Sequence, residues 1–474
     1  MTEKTMTNRR GLGWLFSGLI GILVALGVIY WPAPTPPSTV RTSCDVGPKP
    51  DAWRCDCLTR LRQTLDDERI LQASIAWKYF ERNYHPETGL INSVDGYPST
   101  TMWDTASAIF GTVAARHLCL IDDRKFHERI SRLLGTLNTM PLYDGVAPNK
   151  AYDTRNAQMV DYNNNPAPEG IGVSTIDLAR LISSLRFLSA HHPEFVSASR
   201  NVIARWNYCP MIRNGRMYGL YRDPLTMETV AFQEGRLGYE QYAGKIFAHL
   251  GFDQHLAADY RNPWRGDVRI DGVNIAYDTR DPSKLGAYNY VVTESYALEW
   301  MELPDDDPEF DRLWEAIYQV QRRHSEITGE LTAASEDHVD RKPYFLYNTI
   351  FVAGSPWRTI TDKGMDYPQL RTLSVKAALA LADLHPEDEY AKQLRNAVRY
   401  ANDPDKGWFS GIYQEGQGYN RAITANTNGI ILELIARKSG LNIRDGWKNF
   451  GFPSRLPVNA DAGKQCIPIG ADRH

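Results

Sequence analysis

One unit recurs about six times in this chain: an aromatic, Gly-rich extended stretch running straight into an apolar helix. Its copies start at Asp95 (DGYPSTTMWDTASAIFG), Glu169 (EGIGVSTIDLARLI), Glu234 (EGRLGYEQYAGKIFAHLG), Gly286 (GAYNYVVTESYALEW), Asp366 (DYPQLRTLSVKAALALA) and Gly418 (GYNRAITANTNGIILELI). A single copy cannot bury its own apolar helix, so repetition at this scale dictates architecture. Between the copies lie charged amphipathic helices, expected near Leu58–Arg82, Asp123–Leu137, Pro193–Tyr208, Pro308–Arg323 and Glu387–Tyr400. In the second of these Phe126, Ile130, Leu133, Leu134 and Leu137 recur at three-to-four spacing, which makes one apolar stripe. Helices buried on most sides, alternating with helices buried on one, predict two concentric rings: an all-α (α/α)6 toroid with short β-hairpins in its loops. The outer helix due after Gly251 is broken by Pro263 and is expected to be degenerate. The AYDTR echo at Ala151 and Ala276 and the related GLINSVDG, GLYRDP and GIYQEG segments fit internal duplication, the latter reading as short strands that end in turns.

The N-terminus sets the expected compartment. Arg9 and Arg10 precede an uncharged run, Gly11–Trp31, long enough to span a bilayer and ending in Tyr30, Trp31 and Pro32 rather than at a small-residue cleavage site. The expected organisation is a cytoplasmic tail and anchor over 1–31, a Pro-rich linker with a Cys cluster over 32–57, and the toroid over 58–474. The main domain then faces the periplasm from the inner membrane. Six cysteines suit an oxidising compartment, with a bridge from Cys466 to Cys44, Cys55 or Cys57 expected and Cys119 and Cys209 in apolar helical settings. Cys55 and Cys57 lack a matching ligand pair, so no metal site is expected there. A net charge of -4 provides no basic surface for nucleic acid.

If the buried helices point the same way, their N-termini and leading loops share one mouth. The acids there are Asp95, Asp104, Glu169, Asp177, Glu234, Glu240, Asp278, Glu294, Asp366 and Glu415, interleaved with Tyr97, Trp103, Asn163, Asn164, Asn165, Tyr239, Tyr242, Tyr288, Tyr290 and Tyr419. Carboxylates among aromatic faces are what glycosidic-bond cleavage requires: one acid protonates the leaving oxygen, a second activates water or attacks the anomeric carbon, and rings hold the sugars. Competing structural roles exist. Asp104 follows Thr101, and Asp177 follows Ser174, at capping-box spacing, and Glu240 and Glu294 sit in first turns that the helix dipole favours for acids. Glu169, in the stiff loop NNNPAPEGIG, answers to no capping rule and is the leading catalytic carboxylate. Asp104, Glu240 and Glu294 are its candidate partners, with Asp95, Tyr97, Trp103, Asn164, Asp177, Tyr239, Tyr242 and Tyr290 in the sugar-binding set. Asp153 and Asp278, both in AYDTR, either pair with Arg155 and Arg280 or act on substrate. The acidic run Glu336, Asp337, His338, Asp340 reads as a solvated surface turn in preference to a cation site. Phosphate loops, HExxH and GxSxG elbows are missing, and a lyase built on Tyr242, His85 and Arg236 ranks below a hydrolase.

The segments SVDGYPSTTMWDTAS, YDTRNAQMVDYNNNPAPEGIGVSTIDLARL and FLYNTIFVAGSPWRTITDKG resemble a bacterial envelope family known only as a domain of unknown function, whose members occur beside exopolysaccharide genes. The repeat plan and YNYVVTESYALEWME are more distantly similar to glycoamylase-like toroids, which include β-1,2-glucanases and the carboxy-terminal part of cyclic glucan synthases. The first likeness implies envelope location; the second implies hydrolysis or transglycosylation of a glucan, without a cofactor. A polysaccharide synthesis complex is the implied partner. The alternative expectation is a non-catalytic carbohydrate-binding or assembly subunit of a polysaccharide synthesis or export system.

Overall fold

The computed structural model describes residues 52–282, 288–304 and 307–447. The Gly11–Trp31 run, Cys44 and Cys466 lie outside them, and among the described residues no helix is long and apolar enough to cross a membrane. The compact unit begins at Ala52 rather than Leu58. Helix α1 (Ala52–Leu61) carries Cys55 and Cys57, so part of the expected linker is helical.

Two kinds of helix then alternate: α2 (Asp67–Arg82), α3 (Met102–His117), α4 (Asp123–Thr139), α5 (Thr175–His191), α6 (Val196–Ala204), α7 (Tyr239–His249), α8 (Thr293–Glu302), α9 (Pro308–Thr328), α10 (Val375–Leu384), α11 (Glu389–Val398) and α12 (Ala425–Lys438). The six expected apolar helices are α3, α5, α7, α8, α10 and α12. Each packs on the next, and α12 returns to α3, closing an inner ring. Helices α2, α4, α6, α9 and α11 bury one stripe each, as amphipathic spacing requires. Their starts are capped by Asp66, Asp122, Asp307 and Asp388, or for α6 by a preceding 3-10 turn. The chain is thus a helical toroid.

The outer helix due between α7 and α8 is replaced by a hairpin. Pro263 and the flanking Asn262 and Trp264 stop helix growth, and Arg265–Ile270 pairs with Val273–Asp278 instead. Strand content also exceeds simple hairpins. Gly172–Val173, Gly219–Arg222 and Thr229–Phe232 form one three-stranded sheet and Glu336–His338, Phe345–Asn348 and Thr359–Ile360 another. A four-stranded sheet centres on Gly407–Tyr413. These sheets lead into the inner helices and carry the mouth.

Cys57 is bonded to Cys119, so Cys119 is a disulfide partner and not merely an apolar filler; Cys55 and Cys209 are disulfide-bonded as well. The Cys57–Cys119 bridge spans 62 residues and fastens α1 to the end of α3. Closing a loop of that length restricts the unfolded chain by about 4 kcal/mol. The double variant Cys57→Ser, Cys119→Ser should therefore have an unfolding free energy lower by about that amount, read as a lower urea midpoint, with an unchanged helical spectrum at zero denaturant.

Candidate functional site

The inner helices begin at one end of the ring, as the contacts among first-turn residues of α3, α7, α8, α10 and α12 show. Thr101, Ser174 and Thr424 cap α3, α5 and α12 with their side chains. First-turn residues consequently face one another across the axis. Glu294 of α8 accepts from Trp103 Nε1 of α3 at 3.1 Å and from Asn426 Nδ2 of α12 at 2.9 and 3.0 Å, and it pairs with Lys376 of α10. Trp103 remains partly exposed and meets Tyr239 and Tyr242 edge-on, with centroids at 5.7 and 6.2 Å. It forms the floor of the mouth.

Beneath that floor the axis is filled. Arg180, fully buried on α5, reaches Glu302 and Glu433, each at 3.3 Å, and donates to Ser107 Oγ at 2.6 Å and Asn426 Oδ1 at 3.1 Å. Its guanidinium stacks 4.7 Å from the Trp103 ring, and Tyr242 donates to Glu302 Oε2 at 2.5 Å. Burial raises the proton affinity of Glu302 and Glu433, which Arg180 counters.

Lys376 has further partners. Strand Glu336–His338 brings Asp337 to 3.5 Å from Lys376 Nζ, and both Asp337 oxygens lack a hydrogen-bond partner. Glu336 and Asp337 are 7% and 2% exposed, so the expected solvated turn is a buried strand, and the cation it faces is a lysine of the neighbouring helix. Burial pushes the carboxyls of Glu336 and Asp337 up to about 7 and about 8 against the pull of Lys376, and burial beside Lys376 holds His338 down at about 4. Glu294, Asp337 and Glu336 together hold the Lys376 ammonium protonated despite its burial.

The open wall is made by the loops leading to α5 and α7. Glu234 Oε2 accepts from the backbone N–H of Thr175 at 2.7 Å, which puts its carboxylate on the N-terminus of α5. Asp177 lies in that same first turn, its own N–H capped by Ser174 at 3.2 Å. Part of its surface is open, yet protein surrounds it: desolvation first and the Glu234 charge second push its carboxyl up to about 7. Tyr162 lies within electrostatic reach of the pair. The residue is 63% exposed, and desolvation of its hydroxyl with the charges of Asp177, Glu234 and Asp362 raises its phenol. Tyr97 donates to the Tyr162 carbonyl at 3.1 Å and ties down that backbone.

The residues expected at the site divide accordingly. Trp103, Tyr239, Glu294, Asp104 and Asp177 gather at the mouth; burial raises the carboxyl of Asp104, which accepts from Thr101 Oγ1 at 2.8 Å. Glu169 does not join them: its side chain is exposed, and its backbone carbonyl takes Arg222 Nη2 at 3.4 Å. The stiffness of its loop serves a backbone anchor, with Gly170 pressed on Tyr143 and Asn149. Glu240 is fully buried, paired with Arg280 and accepting from Gln233 at 2.8 Å, so it cannot meet a sugar. Tyr242 is likewise buried and offers no platform. Asp95 is engaged by Arg82 and Asn83 at 3.0 and 3.1 Å. Asn164 takes a left-handed φ of 61° in the Asp161 turn. Tyr290 stacks on Tyr347 at 3.6 Å, and the pair forms a second aromatic wall. Asp153 and Asp278 pair with Arg155 and Arg280. Sequence reasoning missed Tyr162 and Lys376 and passed over Glu234. A lone lysine in VKAALALA was the available signal for Lys376.

The fold has counterparts among solved structures. A candidate glucoamylase from Bacteroides caccae matches with a TM-score of 0.60 at 10% identity, over 83% of this chain and 96% of that one. An endo-β-1,2-glucanase from Chitinophaga pinensis, in complex with sophorotriose and glucose, matches with a TM-score of 0.57 at 12% identity, over 82% and 94%. The endo-β-1,2-glucanase of Talaromyces funiculosus with sophorose matches with a TM-score of 0.53 at 12% identity, over 81% and 87%. No curated protein matches the chain. Residues 71–440, nearly the whole toroid, match one family throughout, and the chain belongs to it: DUF3131, proteins of unknown function.

Proposed function

We propose that this chain is a glycoside hydrolase that cleaves or remodels a glucan or related exopolysaccharide. The observation that carries the reading is the convergence of Asp177 and Glu234 on the N-terminus of α5, at the end of the ring where Trp103 is partly exposed and Tyr162 is exposed. Asp177, with its proton retained to about pH 7, is the donor to the leaving oxygen. Glu234, pinned by the Thr175 amide, is the carboxylate that holds the proton on Asp177 and stabilises positive charge developing at the anomeric carbon. Trp103 and Tyr162 are the sugar-stacking faces. The glucanase and glucoamylase names of the structural counterparts support a glucan as substrate class. Extracytoplasmic placement, with Gly11–Trp31 as anchor in the inner membrane, is part of the proposal, and the disulfide bonds of Cys55, Cys57, Cys119 and Cys209 support it.

The test incubates the full chain with linear β-1,2-glucan, other β-glucans and bacterial exopolysaccharides, and follows reducing ends. Asp177→Asn and Glu234→Gln should each lower kcat about 10²–10⁴-fold while the helical spectrum is kept. Glu169→Gln should retain activity within about threefold. An intact wild-type chain that binds oligosaccharides and leaves every polymer uncut would replace the hydrolase with a binding subunit.

A further inference from the structure

Hydrolysis by single displacement needs a group on the far side of the sugar to take the proton of the attacking water. Asp177 and Glu234 belong to one wall. In a closed ring of six, the second and fifth inner helices, α5 and α10, stand opposite each other. The segment leading to α10 contains the turn 361–365. Thr361 Oγ1 accepts from the N–H groups of Lys363 and Met365 at 3.3 and 3.2 Å, and Gly364 N–H donates to the Thr361 carbonyl at 3.0 Å.

This turn is seated on the aromatic wall. Gly364 has a φ of +77°, and a Cβ there would fall 2.2 Å from the Tyr288 ring, so any larger residue would lift the turn away. Ile360, just before it, packs with Tyr290 and Val352. The same wall is tied to the Glu234 loop, because Arg236 Nε donates to the Tyr288 carbonyl at 2.6 Å. One short path therefore connects Glu234, Arg236, Tyr288 and the turn.

At the tip stands Asp362. Several nearby carboxylates are occupied: Asp366 by Arg358 at 2.8 Å, Asp340 by Arg341 and the Arg421 amide, Asp161 by Asn163 and Asn165, Asp95 by Arg82. Asp362 is exposed and has no ion pair or side-chain hydrogen bond within the described residues. We propose that Asp362 is the water-activating base of this site, acting across the bound sugar from Asp177. Its charge is felt at both walls, since it raises the phenols of Tyr162 and of Tyr290.

The step balances without a co-reactant. Water oxygen bonds to the anomeric carbon and gives its proton to the Asp362 carboxylate. The bond from that carbon to the leaving oxygen breaks, and the Asp177 proton goes to the leaving oxygen. Solvent then takes the proton from Asp362 and restores Asp177. Attack opposite the leaving group inverts the anomeric centre.

The inference rests on the hydrolase reading, and the test separates the two. The full chain, Asp362→Asn, Asp362→Gly and Asp177→Asn are assayed on linear β-1,2-glucan, with the anomer of the first product read by NMR. The expected result is inversion by wild type and a 10²–10⁴-fold lower kcat in Asp362→Asn with KM within threefold. Added azide should restore turnover to Asp362→Gly as the glycosyl azide, which a structural role would not produce. An active wild type, an inactive Asp177→Asn and a fully active Asp362→Asn would overturn the role of Asp362 alone, as would retention of configuration. A wild type that cuts no polymer would remove both readings.

Discussion

Arg180→Met should lower the unfolding free energy by about 3–5 kcal/mol, the range found when one partner of a buried ion pair is removed. Methionine replaces most of the volume, so the loss is not a cavity effect. It leaves Glu302 and Glu433 facing each other at 0% and 1% side-chain exposure without the guanidinium that separates them. It also removes donors from Ser107 and Asn426 and the cation beneath Trp103. Urea denaturation followed by circular dichroism measures it. Adding Glu302→Gln and Glu433→Gln to Arg180→Met should recover much of the loss, because neutral amides do not need the cation; failure to recover would locate the effect in packing instead. A single variant within about 1 kcal/mol of wild type would show that the column is dispensable.

The second large effect is a dependence on pH. Glu336 and Asp337 hold their protons to about pH 7 and 8, well above the range of an unfolded carboxyl, mainly because burial disfavours their charge. Since the folded state binds these protons more tightly, their contribution is complete below the unfolded values near 4 and is lost as pH rises through 7 to 8. At about 1.4 kcal/mol for each tenfold difference in proton affinity, Glu336 alone accounts for roughly 3 kcal/mol between pH 4 and pH 9. The urea midpoint should therefore fall on the alkaline side. Asp337→Asn, which cannot ionise, should flatten that fall and be more stable than wild type at pH 9, while differing little at pH 5. A wild-type midpoint constant from pH 5 to 9 would rule the account out.

The toroid was legible because its signals are local. Thr101, Ser174 and Thr424 mark helix starts within a few residues, and the three-to-four spacing in α4 needs no knowledge of the rest. Pro263 announced the interrupted pair, though not the hairpin that takes its place. The site was legible only as a neighbourhood. Choosing among its acids depends on partners brought from across the ring: Lys376 for Glu294, Arg280 for Glu240, the Thr175 amide for Glu234. None of these has a spacing rule. Glu169 stood out because no local rule explained it, whereas its loop is explained by the Arg222 contact to its carbonyl. The run Glu336–Asp340 misled at its first two residues for the same reason: Asp340 is exposed, but Glu336 and Asp337 are buried beside Lys376.

The plugged axis has a consequence for traffic. With Arg180, Glu302, Glu433 and Tyr242 packed below Trp103, the ring has no bore. If the proposed hydrolase reading holds, a polymer cannot be threaded through and shortened on the run; it has to drape over the rim or dip one end in, and fragments must back out by the doorway that admitted them. Accumulating short fragments would then compete directly with fresh chain for the same entrance.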